Sequence, residues 1–268
     1  MEKKIGFIGT GNMGSAMIGG IVGAGVIKGE NVFIFDPNAS KVKELKKDYG
    51  VSVSATAKEL TKACDWVVVA VKPNIYPLVL SDIKADLDAS KVVVSIAAGL
   101  TIKQMEDIIG ADKNIIRTMP NTPALVGEGI TAICPNDIVA DKEVEDLMTV
   151  FGGFGKAEKV KESLIHAVIG VSGSAPAYVF MFIEAMADAA VQGGMPRDKA
   201  YTFAAQTVMG AAKMVTETGM HPGALKDMVC SPGGTTIEAV RNLERTGFRS
   251  AVIESMVACM DKSKKMSE

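Results

Sequence analysis

Two glycine-rich turns, one near each end of the chain, carry the residues best suited to hold anions. Near the C-terminus, Ser231-Pro232-Gly233-Gly234-Thr235-Thr236 lies between two segments of helical periodicity. It therefore opens a helix with hydroxyls in its first turn. The first amides of a helix have no intrahelical partner, and the helix dipole adds partial positive charge, so the turn suits a carboxylate. The plainer alternative is that these hydroxyls only cap the helix. Near the N-terminus, Ile5-Gly6-Phe7-Ile8 breaks into Gly9-Thr10-Gly11-Asn12-Met13-Gly14, a Gly-x-Gly-x-x-Gly turn that continues as a helix through Ser15-Ala16-Met17-Ile18. A second apolar run, Val32-Phe33-Ile34-Phe35, ends in Asp36. Strand, tight turn, helix, strand and acidic residue follow one another as in a dinucleotide-binding βαβ unit. Gly9 permits the turn, Gly11 lets the backbone approach a pyrophosphate, and Gly14 lets the helix pack on the strand.

The elements that must position these turns alternate along the first part of the chain. A charged helix around Ser40–Lys47 precedes a short strand at Val51-Ser52-Val53. The run Asp65–Val71 is nearly all apolar, as a strand buried on both faces of a parallel sheet must be. Lys91–Ile96 and Asn114–Arg117 read as further strands, followed by the loops Ala97-Ala98-Gly99 and Met119-Pro120-Asn121-Thr122-Pro123. Doubly wound sheets bind ligands at such carboxyl-end loops. Trp66, at the start of its strand, is expected in the core. Beyond Phe151-Gly152-Gly153-Phe154-Gly155 no further long strand pattern appears. Apolar residues instead recur at three- and four-residue steps through Tyr178, Val179, Phe182, Ile183 and Met186, and through Phe203, Thr207 and Met214. The expectation is an α/β Rossmann-type doubly wound domain over 1–160, then an all-α domain over 161–268. The helical faces are too apolar for a small appendage and point to packing against a second copy of the chain. Ser174-Ala175-Pro176 at the head of the first helix argues against a continuous membrane span.

Composition excludes some classes. The chain has 268 residues, 48% hydrophobic and 22% charged, with a net charge of −2. Nothing in that balance favours nucleic acid or acidic lipid as a partner. The sequence enters a strand directly after Met1-Glu2-Lys3-Lys4, without a signal or transit pattern, so a cytoplasmic location is expected. Cys64, Cys134, Cys230 and Cys259 are far apart, and with only His166 and His221 they form no metal-ligand spacing. Cys64 and Cys134 read as core residues, His166 as a structural histidine and His221 as a helix-start residue.

Taken over its whole length, the chain resembles the pyrroline-5-carboxylate reductase family. The matching segments are Ile8–Gly14, Ala70-Val71-Lys72-Pro73, Arg117–Pro123, Gly173-Ser174-Ala175-Pro176-Ala177-Tyr178 and, most specifically, Ser231–Thr236. The resemblance implies hydride transfer from NADPH or NADH to the imine carbon of 1-pyrroline-5-carboxylate, the last step of proline biosynthesis. It implies that main-chain amides around Gly234–Thr236 hold the substrate carboxylate and that Thr236 bonds the ring nitrogen as the catalytic hydroxyl. Substrate-binding residues expected on this basis are Ser174, Ser231, Gly233, Gly234, Thr235 and Thr236. Cofactor-binding residues are Ile8, Gly9, Thr10, Gly11, Asn12, Met13, Asp36, Ala70, Val71, Lys72, Pro73 and Asn121. The helical half corresponds to the family's dimerisation domain, with dimers gathered into larger rings such as decamers.

Two positions depart from the family pattern. Members that use NADPH often carry small hydroxylated residues where this chain has Asp36, and a carboxylate there suits a free ribose 2′-hydroxyl. Lys41 and Lys43 on the following helix work in the opposite direction, so the preference stays open at this level. Ala57 stands where relatives often carry an Asn touching the ribose. A β-hydroxyacid dehydrogenase would share the glycine turn, but its chemistry needs a base, commonly a lysine on the first helix after the Rossmann domain. Ser174–Gly193 contains none. A non-catalytic NAD(P)H sensor would share the fold and need no imino acid pocket.

Overall fold

The computed structural model describes residues 2–267. Its elements in chain order are β1 Ile5–Ile8, α1 Asn12–Gly23, β2 Val32–Phe35, α2 Ala39–Tyr49, β3 Ser52–Val53, α3 Ala57–Ala63, β4 Trp66–Val69, α4 Tyr76–Ile83, β5 Val92–Ser95, α5 Ile102–Ile109, β6 Asn114–Met119, β7 Gly129–Pro135, α6 Asp141–Phe151 and β8 Gly155–Lys159. There follow α7 Ile165–Val168, α8 Ala175–Gln192, α9 Arg197–Thr218, α10 Pro222–Val229, α11 Thr235–Arg245 and α12 Phe248–Ser267.

The strands form one sheet in the order β3-β2-β1-β4-β5-β6-β7-β8. All neighbours are parallel except β6 and β7. β1, β4 and β5 are buried at every residue, including Val67, Val68 and Val69, which accounts for their unbroken apolar runs. Two hydrophobic clusters cover the two faces. One gathers Phe7, Met17, Ile34, Trp66 and Phe151; the other gathers Ile8, Leu60, Tyr76, Met105 and Ile115. Trp66 is fully buried, and its indole Nε1 donates to Glu143 at 2.7 Å. Burial pushes the Tyr76 phenol pKa up, and its hydroxyl donates to the Val69 carbonyl at 3.0 Å.

Sequence periodicity misses the last two strands. β7 turns antiparallel after a short helical turn at Thr122–Val126, and β8 is a charged edge strand, Gly155-Lys156-Ala157-Glu158-Lys159. Its exposed lysines resemble a deterrent to edge-to-edge pairing more than a core pattern.

By compactness the chain divides into 1–174 with 259–268, and 175–258. The end of α12 thus returns to the first unit, where Gln104 Nε2 donates to the Ser267 carbonyl and His166 Nδ1 lies 2.9 Å from Ser263 Oγ. His166 is a structural residue; burial, helped by Arg117, lowers its pKa. In the second unit α8 packs along α9, and His221 caps α10 by accepting the Gly223 amide at 3.0 Å.

The helical run that leads into the second unit is longer than Pro176 led one to expect. It is continuous over Glu162–Gln192, 31 residues that contain an 18-residue stretch of mean hydropathy 1.5, and by length and composition alone it could cross a membrane. Pro176 is absorbed by a π turn at Ile169–Gly173, in which the Ser174 amide reaches back to the Ile169 carbonyl at 2.8 Å.

Candidate active site: two open helix N-termini

β1, β2, β4, β5 and β6 are in register, so Phe35, Ile8, Val69, Ser95 and Arg117 form one row across the sheet. The next residue on each of the first three strands is Asp36, Gly9 and Ala70. The expected dinucleotide residues thus gather at the carboxyl edge, where the strand order reverses around β1 and β4.

Each glycine of the first turn is explained by its surroundings. Gly9 adopts φ +99, and a Cβ there would lie 2.6 Å from the Ala70 carbonyl oxygen. A Cβ on Gly14 would lie 2.6 Å from the Gly9 carbonyl oxygen. A Cβ on Gly11 would meet nothing within 4 Å, so protein packing does not demand a glycine there and a close-lying ligand would. Gly11 is also the N-cap of α1 and supplies no side-chain cap. The first amides of α1, at Asn12 and Met13, are left for an anion. These features fit a dinucleotide pyrophosphate.

The remaining cofactor residues frame this turn. Ile8 is buried under it, and its carbonyl accepts the Ala70 amide at 2.8 Å. Val71 is half-buried, while Lys72 and Pro73 lie exposed at the start of a short helical turn. The Thr10 amide donates to Asp36 Oδ2 at 2.7 Å, and the Thr10 hydroxyl is buried without a partner. Asn121 is almost wholly buried with its side chain already engaged: Nδ2 donates to the Ser172 carbonyl at 3.1 Å and Oδ1 accepts the Ile130 amide at 2.9 Å. Pro176 has no N–H to offer that Ser172 carbonyl. Asn121 therefore braces the π turn, and only its backbone remains available to a cofactor.

The sequence reading overlooked Arg117, whose side chain is 2% exposed and pairs with Glu162 at 2.8 Å. The same Glu162 oxygen accepts the Ile102 amide at the start of α5, also at 2.8 Å. A charged residue inside an otherwise apolar strand was the available signal. Burial pushes the thiol of Cys134, its cross-strand neighbour, up to about 11 and that of Cys64 up to about 12. Both are buried core thiols, a setting that disfavours the thiolate.

In the helical unit, Ser231–Gly234 forms a turn closed by the Gly234 amide on the Ser231 carbonyl at 3.0 Å. Gly233 takes φ +69, and a Cβ on Gly234 would lie 2.4 Å from Ser231 Oγ. Gly234 is the N-cap of α11 and gives no side-chain cap. The reading of Ser231, Thr235 and Thr236 as mere caps is therefore not what forms here. Thr235 is exposed and Thr236 half-buried, on a helix whose opening amides are free of side-chain partners. Ser174 belongs to the first unit and is no conventional N-cap, because its backbone is already helical at φ −97, ψ −27. Its hydroxyl accepts from Cys259 Sγ at 3.2 Å.

A doubly wound sheet with an uncapped Gly-x-Gly-x-x-Gly helix start, followed by a helical unit with a second uncapped glycine turn, fits the class of NAD(P)-dependent oxidoreductases. Comparison with known proteins narrows that class. Residues 162–266 match the family model described as pyrroline-5-carboxylate reductase dimerisation, and residues 4–99 match one described as NADP oxidoreductase, coenzyme F420-dependent. The chain is 56% identical over 268 residues to pyrroline-5-carboxylate reductase of Escherichia coli K12, covering 100% of both. It is 42% identical to that of Methanosarcina acetivorans, covering 100% of this chain and 99% of the relative. Among solved structures, Plasmodium falciparum pyrroline carboxylate reductase with NADP bound superposes with a TM-score of 0.89 at 37% identity, covering 100% of each chain. The chain belongs to the pyrroline-5-carboxylate reductase family.

Proposed function

We infer that this chain is an NAD(P)H-dependent oxidoreductase that reduces the C=N bond of 1-pyrroline-5-carboxylate to L-proline, the last step of proline biosynthesis. The observation that carries the reading is the glycine-capped N-terminus of α11 in the Ser231–Thr236 turn, in a chain where the glycine-capped start of α1 fits a dinucleotide. When bound, the dihydronicotinamide supplies the hydride. The protonated cyclic imine is already an electrophile, so positioning dominates. Holding the reacting carbons about 3 to 3.5 Å apart in line replaces an entropic cost that amounts to several kcal/mol.

In this proposal the amides at Gly234 and Thr235 hold the carboxylate. The Thr236 hydroxyl accepts a hydrogen bond from the iminium N–H, then donates one to the amine nitrogen as its lone pair forms. Ser231 and Gly233 shape the turn, and Ser174 is assigned to substrate binding. Ile8–Met13, Asp36, Ala70–Pro73 and the backbone of Asn121 bind the cofactor. Residues 1–160 act as the dinucleotide-binding domain and 161–268 as the dimerisation and substrate domain.

The assembly follows from burial. Across 175–258 the buried hydrophobic residues are only Ala187, Ala200, Ala204 and Leu225, while Phe180, Met181, Phe203 and Met209 are each more than half exposed. A helical unit with so small a core needs a partner, and we assign a second copy of the chain, with decamers as the larger form. Asp188, paired with Arg197 at 2.5 Å, puts charge on the same run that is apolar enough for a membrane. This favours a protein partner over lipid. Four free cysteines suit the reducing cytoplasm.

A spectrophotometric assay with 1-pyrroline-5-carboxylate and each of NADH and NADPH tests the activity. Oxidation of neither would remove this assignment.

A further inference from the structure

Glu162 is the first residue of the helical run that continues to Gln192, and one of its oxygens holds two other elements. Oε1 accepts from the Arg117 guanidinium and from the Ile102 amide, each at 2.8 Å. Arg117 lies on β6, and Ile102 opens α5. A single carboxylate oxygen thus ties the sheet, the start of α5 and the head of the helical run together.

Stability does not account for this arrangement. The attraction within a buried ion pair is largely offset by desolvation of its charges, so an apolar side chain at 117 would serve the core as well. Arg117 is buried, and its Nη2 has no hydrogen-bond partner among the described residues, which adds to the penalty. What the charge achieves is to fix the place of Glu162.

Both ends of that tie lead to the site. Behind Ile102 stands the loop 97–101, at the carboxyl end of β5. Thr101 and Gln104 close a capping box there, with the Gln104 amide on Thr101 Oγ1 at 3.1 Å and the Thr101 amide on Gln104 Oε1 at 2.9 Å, so the end of the loop and the start of α5 move as one piece. Gly99 takes φ +85, and a Cβ on it would lie 3.2 Å from the Met266 carbonyl oxygen, so the end of α12 bounds the loop on another side. A dinucleotide with its pyrophosphate at Gly11 and its adenosine ribose beside Asp36 places its other half on the β4–β5 side of β1, where this loop stands. Ahead of Glu162 the chain passes through the π turn to Ser174. β6 and the loop after it grip that stretch twice, Arg117 at Glu162 and Asn121 at the Ser172 carbonyl.

We propose that Glu162, held by Arg117, is a positioning residue for hydride transfer. Its carboxylate sets the loop 97–101, on the donor side, against the stretch that carries Ser174, on the acceptor side. This role rests on the reductase assignment above. Misplacing reacting groups by about 1 Å through a change far from the chemistry is enough to cost roughly a hundredfold in rate.

The test combines steady-state kinetics, fluorescence titration with dinucleotide and calorimetry on the full-length protein. Turnover is expressed per dinucleotide-binding site counted in the titration, so a loss of folded protein does not register as a loss of kcat. Glu162→Ala should lower kcat for 1-pyrroline-5-carboxylate by roughly ten- to a hundredfold. Its dinucleotide dissociation constant should stay within about threefold of wild type. The deuterium isotope effect on kcat, with the transferred hydrogen of the dinucleotide labelled, should be no smaller than that of wild type, because hydride transfer becomes the slow step. Glu162→Gln keeps an acceptor oxygen for Ile102 and Arg117 and should recover most of kcat. The double variant Arg117→Met with Glu162→Ala removes the unpaired buried charge; it should regain the melting temperature lost in Glu162→Ala and leave kcat low. A kcat that returns with the melting temperature would make the pair a structural one and overturn the proposal. Wild-type kcat in Glu162→Ala, or a smaller isotope effect, overturns it too. A wild type that reduces no 1-pyrroline-5-carboxylate overturns the reductase assignment as well, so the two failures are told apart.

Discussion

The turn before α1 and the turn before α11 use the same device, a glycine run that leaves helix amides unpaired, in opposite settings. Gly9, Thr10 and Gly14 are buried between strand and helix, and only Gly11 and Asn12 are open. Ser231, Pro232, Gly233 and Thr235 are all exposed in the single chain. The first turn is finished by its own sheet: protein atoms dictate Gly9 and Gly14, and none crowds Gly11. The second has little around it beyond Ser231. Hydrogen bonds to an anion weaken when water competes at high dielectric, so a carboxylate site at Gly234–Thr236 works only once something covers it. The contrast teaches that the first turn is packed by its own sheet, whereas the second turn, on the proposed reading, needs cover that its own helices do not supply.

The largest effect that would sharpen this contrast comes from Gly9→Val. A side chain at φ +99 is strained by about 1 to 3 kcal/mol, and its Cβ would meet the Ala70 carbonyl at 2.6 Å, a backbone atom that cannot swing aside. The variant should lose dinucleotide binding altogether and melt well below wild type by calorimetry. Retention of nucleotide affinity would show that the turn is not built around this contact.

Next in size is the assembly. Phe203 is 62% exposed in the single chain, and Phe203→Glu places a charge on that face. Light scattering should show wild type as at least a dimer and the variant shifted towards monomer. Imino acid reduction should fall by more than tenfold, the scale of an unpaired charge at an apolar contact, while nucleotide affinity stays near normal. An active wild-type monomer would break the contrast, because the second turn would then need no cover.

These tests separate what the sequence made legible from what it hid. The buried strands were legible because parallel sheets turn whole segments apolar, as in Trp66–Val69. The glycine turns were legible because few residues other than glycine satisfy their geometry. β8 was hidden because an edge strand has one protected side and solvent elsewhere, so Lys156, Glu158 and Lys159 mask it. The return of 259–267 to the first unit was hidden too: the periodicity of α12 says which face is apolar and not what it meets. At the candidate site, Asp36 could be named from its place at the end of the second strand, and Thr236 only through the resemblance to the family. The engagement of Asn121 by Ser172 and Ile130 could not, since it depends on a carbonyl released by a proline four residues further on.

Gly11→Ala probes the first turn without touching its packing. The backbone there is extended, φ −61 and ψ −173, and open space surrounds the added methyl. The melting temperature should not change. Nucleotide dissociation constants should rise roughly ten- to a hundredfold, since a close main-chain approach to the pyrophosphate is lost and hydrogen bonds to a charged group are worth about 1.5 to 3 kcal/mol. Unchanged affinity would mean that the pyrophosphate does not lie at Gly11.

The smallest and most specific effect belongs to Thr236→Ala, which removes one hydroxyl from the second turn. Thr236 is half-buried and follows Thr235 in the first turn of α11, where the backbone alone suffices to keep the helix start, since no side chain caps it. Stability and dimerisation should therefore be unaffected. If the hydroxyl bonds the ring nitrogen, kcat/KM for the imino acid should fall roughly ten- to a hundredfold, matching about 1.5 to 3 kcal/mol for a bond to a charged partner. NADH affinity should remain as in wild type, because the two turns serve different ligands. Gly234→Val, whose Cβ would press on Ser231 Oγ at 2.4 Å, should instead raise KM by distorting the amides that hold the carboxylate. A Thr236→Ala enzyme with wild-type kcat and KM would reduce the second turn to a plain helix start and place the substrate elsewhere.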